Sequence, residues 1–227
     1  MGTHAPVRGF TLIELLVALA IFGLVVGIAS YGYALYTQHW EGRLGRFEQA
    51  QDQYQRLDLV VAALEDTLPY VVRDAQGQAG FYFLGREDGL TLITASPVFS
   101  PGQLAVIRVF REPAAQGGWN LLYEEAPLAG VELRLATQAL PFQHRLVVLR
   151  DLPDLSFGYF GWRSLQQRFE AADMPELNRK PEWATEFDGL LLRLHPQRIA
   201  LRFGGLDAVV FVPERADVAF RRYSGAE

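Results

Sequence analysis

The sequence predicts an α+β protein in which one long N-terminal helix packs on an antiparallel β-sheet head. Three observations support this fold class. The 22 residues from Leu15 to Tyr36 contain no Asp, Glu, Lys or Arg. Beyond them, apolar residues continue at helical spacing, and no proline occurs before Pro69. After Pro69 the pattern changes to short apolar runs separated by glycine and proline, which is typical of antiparallel strands and turns.

The charge-free run is long enough to cross a membrane. At about 1.5 Å per residue, a helix over 15–36 would be roughly 33 Å long, against about 30 Å for the hydrocarbon core of a bilayer. A secretory signal peptide has a shorter apolar stretch of about 7–15 residues, and it would not hold an acid such as Glu14 near its start. A charge inside the membrane costs at least about 2.5–3.5 kcal/mol, so Glu14 is a candidate functional residue that needs a partner.

Cleavage between Gly9 and Phe10 would supply that partner, because it creates an α-amine at the membrane boundary. This amine could pair with Glu14, most usefully with the Glu14 of a neighbouring copy or a related subunit. The chain here resembles the processing site of type IV pilins and type II secretion pseudopilins, with GFTLIE over residues 9–14 followed by a long apolar helix. The resemblance implies that a prepilin peptidase removes the leader, residues 1–9, and methylates the new N-terminal Phe10. It also implies that the leader lies in the cytoplasm and the C-terminus outside.

Two glycines four residues apart lie inside the apolar run. Gly23 and Gly27 form a GxxxG pattern. Such a pattern lets membrane helices approach closely where no hydrophobic force drives them together. Glycine is also frequent in membrane helices without this role, so the pattern leaves both interpretations open.

The helix should continue beyond the membrane. Apolar residues recur three or four apart from Leu44 to Leu68, and charged residues such as Glu65 lie off this stripe. The predicted helix covers residues 10–68, which is about 59 residues or roughly 88 Å. Its second half must bury the stripe against a sheet or another helix. The core of the head is favoured over a coiled-coil partner, because the stripe runs straight into strand-like sequence, and residues 69–227 then form the head. The stripe consists of Leu44, Phe47, Ala50, Tyr54, Leu57, Val61, Leu64 and Leu68.

The head sequence predicts an antiparallel sheet built from hairpins. The pair Asp88-Gly89 marks one tight turn, and a loop containing proline and glycine marks a second. Residues 70–80 and the longer stretch 164–188 are predicted to be loops. The candidate strands are Phe81–Leu84, Leu90–Thr94, Leu104–Arg111, Trp119–Glu125, Val131–Ala136, Arg145–Leu149, Leu155–Trp162, Leu190–Leu194, Ile199–Phe203, Ala208–Val212 and Val218–Tyr223.

Parts of the head resemble one branch of the family, the J-type minor pseudopilin of type II secretion, which implies a pilin-like fold. The matching segments are 57–66, 85–90, 107–110, 121–125 and 155–160. The resemblance implies a bacterial inner-membrane protein that crosses the membrane once and has its head in the periplasm. It implies assembly with other minor pseudopilins at the tip of a pseudopilus made of the major pseudopilin, where secreted proteins are further candidate partners. The alternative is a minor type IV pilin acting in pilus assembly, adhesion or DNA uptake.

Composition and motifs argue against several classes of function. The net charge is −5, and Lys180 is the only lysine, so the chain lacks the basic stripe of a nucleic-acid-binding protein. The absence of cysteine removes cysteine nucleophiles and cysteine-based zinc sites. It also separates this chain from the pilins that close a C-terminal loop with a disulfide. No HExxH, GxSxG or P-loop motif occurs, so we expect no catalytic residues and no cofactor.

Three other features of the head have a plain interpretation. His195, which precedes Pro196, is expected to be a surface histidine in a turn. The acids of the 164–188 stretch could offer oxygens to Ca²⁺, but their spacing fits no EF-hand, so we expect a solvated loop without a metal. Nearby aromatic residues should mostly be core, and any that protrude would suit a subunit interface. The acids are Glu170, Asp173, Glu176, Glu182, Glu186 and Asp188, and the aromatic residues are Phe157, Tyr159, Phe160, Trp162, Phe169 and Trp183.

Overall fold

The computed structural model describes residues 12–213, except for the side chains of residues 34–50. Contacts divide the chain into two units, Met1–Asp52 and Gln53–Glu227. The first described element, helix α1, covers Leu12–Glu65. The first two residues of the predicted helix, 10 and 11, lie outside the described part of the chain. An apolar N-terminal helix followed by antiparallel sheets confirms the predicted α+β fold class.

Helix α1 ends three residues earlier than predicted, at Glu65, because backbone hydrogen bonding switches there from the helix to a strand. The N–H of Leu68 donates to the carbonyl of Ile93 at 2.8 Å. Thr67 pairs with Thr94 in an isolated antiparallel bridge. The end of the helix is therefore fixed by contact with the sheet before the chain reaches the following proline.

Twelve strands follow in the described residues. They are β1 Val71–Arg73, β2 Ala79–Phe81, β3 Phe83–Arg86, β4 Gly89–Thr94, β5 Ala105–Pro113, β6 Trp119–Pro127, β7 His144–Leu152, β8 Ser156–Gly161, β9 Glu182–Ala184, β10 Phe187–Asp188, β11 Arg198–Phe203 and β12 Leu206–Phe211. Short helices α2 (Leu165–Asp173) and α3 (Gly189–Leu192) and a 3-10 helix (Pro175–Leu177) lie between strands.

The strands form three sheets, and neighbouring strands within each sheet are antiparallel. The largest sheet has six strands in the order β10-β3-β4-β5-β6-β7. A second sheet has four strands in the order β12-β11-β8-β9, and β1 pairs with β2. The two predicted hairpins, which correspond to β3–β4 and β5–β6, are confirmed.

The C-terminal part of α1 packs into the main hydrophobic core of the head. Val60, Ala63 and Leu64 are fully buried there. The predicted stripe is confirmed in part, because Leu57 and Val61 also pack against this core, whereas Tyr54 is 69% exposed. The side chains of the stripe residues Leu44, Phe47 and Ala50 lie outside the described part of the chain. Strands of both larger sheets share this core, through Phe83, Leu90, Leu92, Ile107, Val109, Leu121, Tyr123, Phe157, Tyr159, Ile199, Leu201 and Val210.

A second hydrophobic cluster covers the other face of the six-stranded sheet. Ile93 and Val106 of that sheet pack there with Leu133. The predicted strand Val131–Ala136 is therefore wrong, because this segment lies over the sheet as irregular chain. Its only strand-like feature is a single parallel bridge from Leu135 to Arg73.

Side-chain hydrogen bonds explain two further differences from the predictions. Residues 70–80, predicted as a loop, contain the β1–β2 hairpin, whose turn is held by Asp74 Oδ1 accepting from the Gln78 N–H at 2.8 Å. The predicted strand Leu190–Leu194 is instead the helix α3. The Asp188 carboxylate caps it by accepting from the backbone N–H groups of the first two leucines. An Asp at this position favours a helix start over a strand.

The stretch 164–188, predicted as a loop, is also partly ordered into regular structure. It holds α2, the 3-10 helix and the short strands β9 and β10. Ser164 begins α2 by accepting a hydrogen bond from the Gln167 N–H on its hydroxyl at 3.1 Å. The predicted strand Val218–Tyr223 lies outside the described residues.

Tyr159 of β8 ties the four-stranded sheet to the β3–β4 turn. Its hydroxyl lies 2.8 Å from the carbonyl oxygen of Arg86 and 3.0 Å from that of Gly89. Its ring packs so closely on Gly85 that an added Cβ would lie 2.5 Å from the ring. Burial raises the pKa of Tyr159, which keeps the hydroxyl protonated as a donor.

Candidate functional site

The N-terminal part of α1 presents an exposed apolar surface. Leu12–Tyr33 is long and apolar enough to cross a membrane, with a mean hydropathy of 2.7 and no part of it buried. The span over 15–36 that the sequence predicts overlaps this segment, whose two ends coincide with the limits of the described side chains. Side chains at 34–36 lie outside the described part.

Glu14 lies in the first described turn of α1 and is exposed. A carboxylate in the first turn is favourably placed, because the helix N-terminus carries a partial positive charge. The predicted cleavage between Gly9 and Phe10 lies outside the described residues, so its geometry and its distance from Glu14 remain predictions.

Gly23 and Gly27 are open to a neighbouring helix. A Cβ added at either glycine, or at Gly32, would meet no described atom within 4 Å. Space at these positions is what close helix packing would require. Nothing in the described residues occupies it, so the packing role of Gly23 and Gly27 stays a prediction.

Two acids of the 164–188 stretch contact other groups of the head. Glu170 lies 3.2 Å from Arg179, and Asp188 caps α3. Among the described side chains, those of residues 12–33 and 51–213, no group of three or more potential ligands is arranged to hold a metal ion. Glu170 therefore has the role of an ion-pair partner, and Asp188 that of a helix cap.

His195 is not the surface histidine that the sequence predicts. Its ring packs edge-on against Phe83 at 5.0 Å and Phe81 at 6.1 Å between centroids. Burial lowers the pKa of His195 to about 4, and the Pro196 backbone only partly opposes this effect. Neither ring nitrogen makes a hydrogen bond of normal geometry with the described residues. A cavity of about 20 Å³, also lined by Arg168, adjoins the ring.

Glu125 is a fully buried acid that sequence reasoning did not single out. Its Oε2 accepts hydrogen bonds from the Tyr123 hydroxyl at 2.7 Å and from the Phe99 N–H at 3.0 Å. The same Tyr123 oxygen accepts from the Val98 N–H at 3.1 Å. These bonds clamp the β4–β5 loop onto the sheet, which gives Glu125 a structural role. Strand alternation from Leu121 could have revealed it, because residues 121, 123 and 125 share one face.

The six aromatic residues near the 164–188 stretch differ in burial. Phe157 and Tyr159 are fully buried in the main core, and Phe160 and Trp162 are partly buried. Phe169 and Trp183 are 60% and 41% exposed. The exposed ones are therefore candidates for a subunit contact.

The outer face of the four-stranded sheet carries a row of four side chains that face one another across strands. Trp183 pairs with Phe160, Phe160 with Arg198, and Arg198 with Phe211. The Arg198 guanidinium lies 5.1 Å from the Phe160 ring centroid and 4.9 Å from that of Phe211. We call these four residues the aromatic–arginine row. Phe160 and Trp183 were noted from the sequence, but Arg198 and Phe211 were not. Strand alternation could have placed Arg198 and Phe211 on an outward face, and only the pairing register joins them to the row.

Comparison with known proteins supports the interpretation of the N-terminus. A family model described as the prokaryotic N-terminal methylation motif matches residues 5–30. No curated protein sequence matches the chain significantly. The motif and the apolar helix together indicate a type IV pilin-like protein, a class that contains both pilins and pseudopilins. They indicate a single-pass membrane-anchored protein with a C-terminal head, and a structural protein rather than an enzyme.

Proposed function

We propose that this chain is a minor pseudopilin of a type II secretion system. In this role a prepilin peptidase cuts between Gly9 and Phe10 and methylates Phe10, and the mature chain stays in the bacterial inner membrane with its head in the periplasm. It assembles with other minor pseudopilins at the tip of the pseudopilus, above the major pseudopilin, and supports protein export. The methylation motif over residues 5–30 is the observation that carries the proposal.

Two further observations support it. The exposed apolar segment Leu12–Tyr33 matches what a filament subunit needs, because a pilin-like helix is buried by lipid before assembly and by neighbouring helices afterwards. The resemblance of the helix and head segments to J-type minor pseudopilins favours secretion over a pilus. In the proposed assembly, Glu14 pairs with the α-amine of Phe10 in a neighbouring subunit, which neutralises an intramembrane charge.

Mass spectrometry of the protein purified from its membrane tests the processing step. We expect a mature N-terminus at Phe10 carrying one methyl group. Gly9→Leu should block cleavage, because a bulky side chain replaces the small residue before the cut. Gly2→Leu is the matched control, since it makes the same change in the leader away from the cut, and it should be processed normally. A mature chain that begins at Met1, or well beyond Phe10, would refute a pilin-like role.

Deletion of the gene separates the proposed role from that of a minor type IV pilin. We expect secreted enzymes to accumulate in the periplasm while surface pili remain, and we expect the mature protein to co-purify with other minor pseudopilins. Loss of pili with normal secretion would instead identify a minor pilin. The net charge of −5 makes DNA uptake the least favoured of the pilus functions.

A further inference from the structure

The outer face of the four-stranded sheet is an exposed surface with both apolar and cationic character. Neighbouring strands lie about 4.8 Å apart, so the aromatic–arginine row crosses roughly 14 Å of sheet. Phe211 is 63% exposed, and Val209, on the same face of β12, is 40% exposed. Exposed aromatic side chains beside an arginine are a composition that is enriched in protein interfaces.

Arg198 is held in place on this face while its charge stays available. The guanidinium lies between the rings of Phe160 and Phe211, and such stacking fixes a planar cation without using its hydrogen-bond donors. No carboxylate among the described residues pairs with Arg198. Arg202 on the same face differs, because it lies 3.8 Å from Asp207. On this face of the described sheet, the guanidinium of Arg198 is therefore available to an acid of another molecule.

The row also ends at a sheet edge. β12 pairs with β11 on one side, and in the described part of the chain no strand pairs with its other side. An edge strand offers a line of backbone donors and acceptors to an extended peptide. Phe211 and Val209 lie on that edge strand, so a peptide added there would contact their side chains while its backbone paired with β12.

We propose that this face binds an extended, carboxylate-bearing segment of another polypeptide, which pairs with the β12 edge and places an acid against Arg198. The charge complementarity of Arg198 and the edge of β12, which no described strand covers, select this occupant over a purely apolar one. The inference rests on the proposed function only in taking the other polypeptide to be a neighbouring subunit of the assembly. It assigns to the head a contact that the N-terminal motif does not provide.

Site-specific photo-crosslinking in the full-length protein, in its own membrane, tests the proposal. The probe is benzoylphenylalanine placed at Val209, and mass spectrometry identifies the cross-linked segment. We expect a segment of another polypeptide that contains Asp or Glu. Arg198→Gln should lower the cross-link yield at least fivefold, and Arg198→Lys should lower it less because the charge remains. Raising the salt concentration should also lower the yield, since an exposed ion pair is screened.

Two controls make the test specific. Arg150→Gln removes the same charge from an exposed position in β7 and should leave the yield unchanged. The probe at Leu191, which is 79% exposed on α3, should not capture the same segment. Tryptophan fluorescence in urea should show equal unfolding midpoints for all variants.

Every other result would overturn the inference. These results are no cross-link, a cross-link to residues 214–227 of the same chain, a segment without carboxylates, or a yield insensitive to Arg198→Gln. Processing at Phe10 is measured independently. A correctly processed chain that secretes normally but gives no such cross-link would refute the docking surface alone.

Discussion

Two parts of helix α1 are both rich in apolar residues, yet they differ completely in burial. Leu12–Tyr33 has no buried part, whereas Val60, Ala63 and Leu64 are fully buried in the head. The difference lies in how apolar residues are distributed around the helix. The first segment is apolar on all sides, and the second is apolar on one side with Asp58 and other polar residues opposite. Only the second pattern fits a single protein core.

Because of this difference in burial, the two parts of helix α1 are stabilised by different contacts. The segment from Gln53 to Glu65 depends on the packing of the head, and Arg56 adds a hydrogen bond to the Val147 carbonyl at 3.2 Å. For Leu12–Tyr33 the burial has to come from lipid or from other subunits. Substitutions in the two parts should therefore affect different measurements.

The largest effect on folding is expected from Leu64→Ala. It removes a fully buried side chain from the main core, so the free energy of unfolding should fall by about 2–5 kcal/mol. The matched change Leu16→Ala, in the exposed segment, should alter it by less than about 0.5 kcal/mol. Urea unfolding of the full chain in detergent, followed by tryptophan fluorescence, measures both. Equal losses for the two variants would contradict the contrast between the two parts of the helix.

A somewhat smaller loss in the free energy of unfolding of the head is expected when the pH is lowered. The folded pKa of His195 is about 4, below the ordinary value of 6.5, so the unfolded chain binds a proton more readily. This contribution to stability is complete above pH 6.5 and is lost progressively as the pH falls to 4. Between pH 8 and pH 5 the loss should be about 2 kcal/mol.

His195→Leu tests this assignment, because it keeps an apolar side chain in the same place but cannot bind a proton. The variant should lose the part of the pH dependence between pH 6.5 and 4 that wild type shows in urea unfolding. The helical signal of the exposed segment should not follow this titration. A variant with the pH dependence of wild type would show that His195 is not the group responsible.

Much of the fold follows from the sequence, because periodicity and turn residues act locally. The charge-free run and the helical spacing up to Leu64 predict α1, and the Asp88-Gly89 turn predicts the β3–β4 hairpin. The errors arise where tertiary contacts decide. Segment 131–136 has strand-like composition, but its chain is irregular and Leu133 and Ala136 pack over the second face of the sheet. The Asp188 cap converts a strand-like run of leucines into α3.

The candidate functional residues also fall into two groups, those that the sequence reveals and those that only the structure reveals. The methylation motif is a local pattern, so Gly9, Phe10 and Glu14 could be found without a structure. The aromatic–arginine row could not be found this way, because it joins β9, β8, β11 and β12, whose residues lie as far apart as Phe160 and Phe211 in the chain. Only the pairing register shows that Arg198 lies between two aromatic rings.

The smallest effects on folding, and large effects on assembly, are expected in the exposed segment. Glu14→Gln removes a charge from an exposed side chain, and Gly23→Ala adds a methyl group where no described atom lies within 4 Å. Each should change the free energy of unfolding by less than about 1 kcal/mol. If Glu14 pairs with a neighbouring α-amine and Gly23 contacts a neighbouring helix, co-purification of partner subunits should fall several-fold.

Gly32→Ala is the control for Gly23→Ala, since it has the same open surroundings outside the GxxxG pair. Normal assembly of Glu14→Gln would disprove the charge pairing, and equal losses for the two glycine variants would disprove a specific role of the pair. A head that folds normally in a chain that fails to assemble would show that folding and assembly depend on different parts of the same helix.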